Sequence, residues 1–224
     1  MALALHYHPL SSYCHKVLIA LYELGTPFEK RLLNLGDAAE RAAFLQLWPT
    51  GKMPLLVDDG QVVAESSIII EHLAQRHGAA AQLLPAEPAA ALEARLCDRL
   101  FDLYVMAPMQ AVVAQQLRPD AERDARASEQ ARATLQMAYD LLDRRLEGRT
   151  WAAGEAFGLA DCAAAPSLFY AATVLPFAPR QQRLAAYCQR LLARPSVART
   201  LDEARPFFAY YPLKEALPAA YRPA

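Results

Sequence analysis

Apolar positions alternate along LALHY (residues 3–7), the period of a half-buried strand, then switch to helical spacing in CHKVLIALYEL, which stops at Gly25. FEKRLL returns to an extended pattern after the Thr26-Pro27 turn, so the chain opens as strand, helix, strand. PLLVDDGQVVAE holds two short apolar runs joined by Asp58-Asp59-Gly60, where glycine supplies the positive φ of a tight hairpin. ESSIIIEHLAQRHG then reads as a helix that Ser66 or Ser67 can cap and that ends near His77, before Gly78.

After LLPAEP the strand signal ceases. Windows from Ala89 to about Leu117 and from Ala121 to Leu146 carry helical spacing, and the remainder continues so. Pro108 and Pro166 fall inside or at the start of such segments and are expected to kink or open them, whereas Pro119, Pro179 and Pro195 stand at boundaries. The pattern therefore predicts a mixed α/β part over residues 1–78, a linker over 79–88 and an all-helical part over 89–224.

The length of 224 residues accommodates two modest domains. With 23 Lys+Arg against 24 Asp+Glu, the formal net charge is -1, without the basic excess that binding a phosphate backbone demands, so no nucleic-acid partner is expected. Residues 1–78 hold six basic and eight acidic side chains and the rest seventeen and sixteen, so neither half is an electrostatic outlier. The longest apolar stretch, CAAAPSLFYAATVLPFA, is interrupted by prolines and falls short of the roughly 18 residues of a membrane span. MALALHYHPL lacks the basic start of a signal peptide, and a cytoplasmic location without membrane contact is expected. Cys14, Cys97, Cys162 and Cys188 are scattered as free thiols would be in a reducing compartment. No cysteine pair has metal-ligand spacing, and His6 and His8, on one strand face, lack an evident third ligand, so no metal is expected.

The stretch HPLSSYCHKV puts Ser11, Ser12 and Cys14 on the turn between the first strand and the first helix. Ser11 or Ser12 can serve there as a helix cap, accepting a hydrogen bond from an otherwise unpaired N–H, or can offer its hydroxyl to a ligand. Spacing alone leaves both readings open.

Four segments, SSYCHKVLIAL, LWPTGKMPLLVDDG, ESSIIIEHL and WAAGEAFGLADCAAAP, resemble in this order the cytosolic glutathione transferase family, in particular its serine-type, theta- or zeta-like bacterial members. The resemblance extends over almost the whole chain. It implies an α/β thioredoxin-like N-terminal domain followed by an all-α C-terminal domain, with glutathione as co-substrate and a homodimer built on helices after Ala89. It further implies that Ser11, with Ser12 as rival, donates to the glutathione sulfur, and that Met53 and Pro54 form a cis peptide presenting the Met53 main chain to the cysteinyl part. By the same resemblance Lys52 meets the glycyl carboxylate, Glu65 and Ser66 hold the γ-glutamyl end, and Asp98 or Asp102 reaches the neighbour's glutathione. Tyr13, Tyr104 and Met106 are the leading candidates for the electrophile pocket, with Met109, Phe169, Tyr210 and Tyr211 behind them. In GLAD, Gly158 stands where the family has a capping Ser or Thr, and Asp161 is expected to be structural and buried.

An unperturbed thiol has a pKa of about 8.5, and only the thiolate attacks. A hydroxyl donor together with the positive end of a helix favours that charged form. The activity implied is attack of activated glutathione on a small apolar electrophile. Three rivals share the fold: a glutathione-dependent cis-trans isomerase of the maleylacetoacetate type, a glutathione-dependent thiol-disulfide oxidoreductase acting through Cys14, and a non-catalytic binding scaffold. The isomerase is weakened because that pattern has cysteine third in the turn, where this chain has Tyr13.

Overall fold

The computed structural model describes residues 3–77 and 83–223. Strands β1 (Leu3–Tyr7), β2 (Glu29–Leu32), β3 (Leu55–Asp58) and β4 (Gln61–Ala64) form one sheet in the order β2-β1-β3-β4. β2 runs parallel to β1, while β3 is antiparallel to β1 and β4 to β3. Parallel neighbours require a crossover, and α1 (Ser12–Leu24) supplies it. Gly25 ends α1 in the left-handed region at φ 63, its N–H turned back to the Leu21 and Tyr22 carbonyls. At the β3-β4 hairpin both Asp59 (φ 46) and Gly60 (φ 87) take positive φ, which matches the twist of the paired strands.

Helix α2 (Ala38–Leu47) has no counterpart in the apolar pattern, because Phe44 is the single side chain it buries. Its sequence signal lies in its cap instead: Asp37 Oδ1 accepts from the Ala39 and Glu40 N–H groups, each at 2.9 Å. Phe44 joins Leu33 and Leu55 in a small second core, against which Trp48 and Met53 pack. Helix α3 (Ser66–His77) also differs from expectation at its start. Neither Ser66 nor Ser67 precedes the helix as a cap; the chain enters through Glu65 at φ 67, whose carbonyl accepts from Ile69 N–H at 2.8 Å. The stop expected at Gly78 and positions 79–82 of the expected linker lie outside the described residues.

The helical part comprises α4 (Pro88–Phe101), a π-helical turn (Asp102–Met106), α5 (Ala107–Gln116), α6 (Ala125–Arg145), α7 (Leu159–Val174), α8 (Gln182–Leu192) and α9 (Pro195–Ala204). A tail follows in short 3-10 turns from Arg205 to Tyr221. Helix α7 is apolar on nearly every side and correspondingly buried, packed between α1 and α4. Pro166 does not break it, and Ser167 Oγ donates to the Ala163 carbonyl at 2.7 Å just beside the missing N–H. Pro108 has a larger effect. It offers no N–H to the Tyr104 carbonyl, and the ladder slips to a wider turn in which Ala107 N–H bonds Asp102 O.

Gly158 precedes α7 with extended backbone, φ -158, so its identity is not a matter of conformation. A Cβ there would stand 2.6 Å from the Leu83 carbonyl oxygen, which accepts from Leu159 N–H at 2.7 Å. The fully buried Asp161 completes the start of α7, accepting from Gly158 N–H and Ala152 N–H, each at 2.9 Å, and from the Tyr187 hydroxyl. Elsewhere, buried Asp58 at the end of β3 accepts from His72 Nε2 at 2.8 Å and His77 Nε2 at 3.2 Å, which pins α3 to the sheet.

Gly158→Ser adds the capping hydroxyl usual for such a helix, yet it is expected to lower stability by about 1–3 kcal/mol, because its Cβ strikes the Leu83 backbone. Urea unfolding checks this, and a gain in stability would refute the steric reading. Burial raises the Asp58 pKa, but the bonds from His72 and His77 outweigh it and hold the carboxyl below its ordinary value. A depressed folded-state pKa means that the contribution of ionised Asp58 is complete above the unfolded value of about 3.9 and disappears as pH falls through the folded one. Asp58→Asn is expected to lower the melting temperature near pH 7, with the gap from the parent closing below about pH 4.

Candidate functional site

The turn before α1 is closed by short-range bonds: Ser11 N–H to His8 O at 3.0 Å and Leu10 N–H to His8 Nδ1 at 3.2 Å. Ser11 is the N-cap of α1, its Oγ accepting from Cys14 N–H at 3.3 Å. Ser12 is the first helical residue and is buried, with its Oγ accepting from Gln110 Nε2 of α5 at 3.0 Å. The two serines that spacing leaves equivalent thus have different surroundings: Ser11 caps its own helix, and Ser12 is tied across to the helical part.

Beside this turn, between the α/β part and α4, lies a cavity of about 730 Å³. It brings together Tyr13, Lys52, Met53, Pro54, Glu65 and Ser66, which are far apart in the chain, and the Met53-Pro54 peptide at its wall is cis. Ser11 and Ser12 do not line it; Tyr13, the next residue of the helix start, does. Tyr104 and Met106 are not in its wall. The π-helical turn directs Asp102 and Leu103 to the cavity, which leaves Tyr104 on the outer surface at 42% exposure and Met106 in the core at 0%. Met109, Phe169 and Tyr211 are likewise buried in the core, and Tyr210 stands in solvent on the tail.

The wall also contains residues that the sequence reading passed over: Trp48, Ser67, Ile68, Glu71, Arg95, Arg99, Leu103 and Gln110. A signal existed for some of them. Arg95, Asp98, Arg99 and Asp102 recur at three- and four-residue spacing, so the last turns of α4 carry one charged stripe toward the cavity. Behind that stripe Lys16 of α1 is completely buried, with its ammonium 2.5 Å from Asp98 Oδ1, 2.8 Å from Asp102 Oδ2 and 2.9 Å from Ser67 Oγ. Arg99 closes the cluster from the cavity side, 2.7 Å from Asp98 and also paired with Asp102. Burial raises the Asp102 pKa, against the opposing pull of Lys16 and Arg99. Asp98 and Asp102, expected to reach a neighbouring subunit's ligand, stand in the wall of their own chain's cavity, each paired with Lys16 and Arg99.

Arg95 pairs with Glu71 through two bonds of 2.8 Å. Of the charged side chains in the wall, Lys52 and Glu65 form no side-chain hydrogen bond or ion pair with another described residue, and both are exposed. One free cation and one free anion thus face the same space. Burial pushes the Tyr13 phenol up to about 12, so it stays a protonated donor. Cys14 is fully buried and its thiol is also pushed up to about 12, which leaves it neither ionised nor accessible near neutral pH. Among the described residues, no group of three or more His, Cys, Asp or Glu is placed to hold a metal ion, and no helix is long and apolar enough to cross a membrane.

Lys16→Met removes the buried one of the two cations that balance Asp98 and Asp102, leaving Arg99 alone against both, and is expected to cost about 3–5 kcal/mol, read as a lowered urea midpoint. Adding Asp102→Asn to that variant is expected to restore part of the loss. Full additivity of the two changes would show that the pair is not coupled.

The glutathione S-transferase N-terminal domain family matches residues 5–81, and the glutathione S-transferase C-terminal domain family matches residues 100–195. A glutathione S-transferase of Pseudomonas putida is 31% identical over 159 residues, covering 71% of this chain and 70% of that protein. Glutathione S-transferase GstB of Escherichia coli K12 is 30% identical over 191 residues, covering 83% of this chain and 91% of that protein. Among solved structures, a glutathione S-transferase of Methylobacterium radiotolerans in complex with glutathione sulfonate superposes with a TM-score of 0.77 at 31% identity, over 89% of this chain and 94% of that one. One from Methylobacillus flagellatus with glutathione bound gives 0.80 at 28% identity, over 89% and 98%. The thioredoxin-like sheet, the helical part behind it and these likenesses converge: the chain belongs to the glutathione S-transferase family.

Proposed function

We propose that the chain is a glutathione transferase that ionises bound glutathione at the start of α1 and delivers its sulfur to a small apolar electrophile. The observation that carries this reading is the single cavity beside that helix start in which Lys52 and Glu65 stand as free opposite charges next to Met53, Pro54 and Ser66. Glutathione is a zwitterionic tripeptide, and such a wall complements it. Lys52 takes the glycyl carboxylate, the Met53 main chain pairs with the cysteinyl part, and Glu65 with Ser66 holds the γ-glutamyl ammonium and carboxylate. That placement brings the sulfur to the first turn of α1. Ser11 Oγ accepts from Cys14 N–H and keeps its own O–H to donate to the sulfur, while the unpaired N–H groups of the turn add their partial positive charge. The thiol proton leaves to solvent, the sulfur lone pair forms the new S–C bond, and the displaced electron pair leaves with the departing group or moves onto the acceptor. Tyr13 borders the acceptor's place in the same cavity.

The bound thiol is expected to ionise well below its free value. Ultraviolet titration of thiolate absorbance is expected to show this shift in the parent and in Ser12→Ala, and to lose it in Ser11→Ala. Loss in Ser12→Ala alone would transfer the role to Ser12; binding of glutathione without any shift in the parent would favour a scaffold. Thiol exchange through Cys14 has no support in a thiol that is buried and protonated.

The reading extends to assembly and organisation: residues 1–78 bind glutathione, 79–88 link, and 89–224 supply the acceptor side and the dimer interface, in a cytoplasmic homodimer. Leu92 and Leu96 stand one turn apart on α4 and are exposed, and Ile68 and Leu103 at the cavity wall are exposed as well, an apolar surface of the kind that a second copy covers. The four cysteines are free and buried, as suits a reducing compartment. Sedimentation is expected to give a dimer for the parent and a monomer for Leu92→Asp/Leu96→Asp. A parent that sediments as a monomer would refute the assembly.

A further inference from the structure

The start of α1 contains a buried side chain that the proposed chemistry does not use. His15, the fourth residue of α1, is 1% exposed and points back toward the preceding turn, its Nε2 lying 2.5 Å from the Pro9 carbonyl oxygen. A carbonyl only accepts, so Nε2 carries the hydrogen. Burial, the largest influence, holds the His15 pKa down at about 4, which keeps the ring neutral at any working pH. Its other nitrogen, Nδ1, is buried and bonds to no described residue, so the Pro9 carbonyl is the sole polar partner of the ring among them.

The ring is braced from behind. Its centroid lies 5.6 Å from that of Tyr170 on α7, and Tyr170 lies 5.2 Å from Tyr211 of the C-terminal tail. The Tyr211 hydroxyl is 2.8 Å from Thr173 Oγ1, which anchors the tail to α7. Phe207 of the same tail meets His8 edge-on at 5.7 Å. No residue of the tail lines the cavity. The tail therefore supports the back of the Ser11 turn rather than covering the ligand space.

We propose that His15 is a positioning residue for Ser11: its N–H grips the Pro9 carbonyl, and the Tyr170 and Tyr211 rings hold it there, so that the hydroxyl at the start of α1 keeps a fixed place relative to the glutathione sulfur. Pro9 is two residues from Ser11, and the backbone and Ser11 bonds of this turn are made between its own neighbours. Gln110 holds Ser12 from α5, and His15 refers the Pro9 end of the turn to α7 and the tail. A donor that must meet a thiolate at hydrogen-bond distance loses effect when it is displaced by a fraction of an ångström.

The inference rests on the proposed role of Ser11, and the test keeps the two apart. His15→Gln and His15→Met are of similar length, and only Gln retains an N–H to donate; His15→Phe keeps the ring against Tyr170 and loses the donor, which gives the same comparison should Met not fold. Thiolate absorbance titration and steady-state kinetics are measured on each, and on His15→Met combined with Ser11→Ala. The expected result is that Met and Phe raise the bound thiol's pKa by about one pH unit and lower kcat about tenfold, with the KM for glutathione changed less than twofold, while Gln stays near the parent. In the Ser11→Ala background His15→Met is expected to add nothing. Gln and Met behaving alike, a folded Met variant with the parent's thiol pKa, or additive effects with Ser11→Ala would overturn the positioning role. A thiol pKa unmoved by Ser11→Ala alone would overturn the Ser11 reading itself, and this inference with it.

Discussion

A buried lysine decides how the two parts of this chain meet. Lys16 sits on α1 with no solvent access, and its ammonium is balanced by Asp98 and Asp102 from the helical part and by Ser67 from α3. Burying one charge is costly unless its partners arrive in the right geometry, so any other docking of the helical part would strand a cation or two carboxylates. The same contacts orient the cavity. Asp98 and Asp102 form its wall because they are held to Lys16 from behind, Arg99 pairs with both from the cavity side, and Glu65, two residues before Ser67, is left facing the ligand space.

Two backbone constraints set the remaining geometry. Pro108 removes an N–H and widens the preceding turn, which fixes the rotation at which Asp102 and Leu103 face inward while Tyr104 faces out. Gly158 yields space to the Leu83 carbonyl, so the backbone at Leu83 lies directly on the start of α7. The lost capping hydroxyl is partly compensated, since Asp161 still receives the Gly158 N–H. At Gly158 a residue that looks like a local defect in a helix is required by the backbone packed against it.

The turn that holds Ser11 shows the same division between local and long-range control. Its own bonds shape it, but His15, Tyr170 and Tyr211 relate it to α7 and to the tail. The aromatic density of FFAYYPLKEALPAAYRPA thus serves the core: Phe208 and Tyr221 pack on Phe169, and Tyr211 on Tyr170. The described residues of the C-terminal segment do not line the cavity, yet Tyr211 meets, through Tyr170, the histidine that bonds the turn at the other end of the chain.

The order of strands and helices was legible in the chain alone, because period-two and helical spacing each report which side of an element is buried. Asp58-Asp59-Gly60 marked the hairpin, Gly25 the end of α1, and the motifs around Ser11, Met53-Pro54 and Glu65-Ser66 marked where to look for a site. Helix α2 escaped, since a helix that buries only Phe44 has almost no apolar period to read. Sequence also could not separate Ser11 from Ser12, or Tyr13 from Tyr104 and Met106, because adjacent or similar side chains differ only in the direction they face. Gln110 on Ser12, the slipped turn before Pro108 and the buried Lys16 decide those directions, and the first and last of these join residues far apart in the chain. Periodicity is a property of neighbours along the chain; a binding wall is made by residues that become neighbours only after packing.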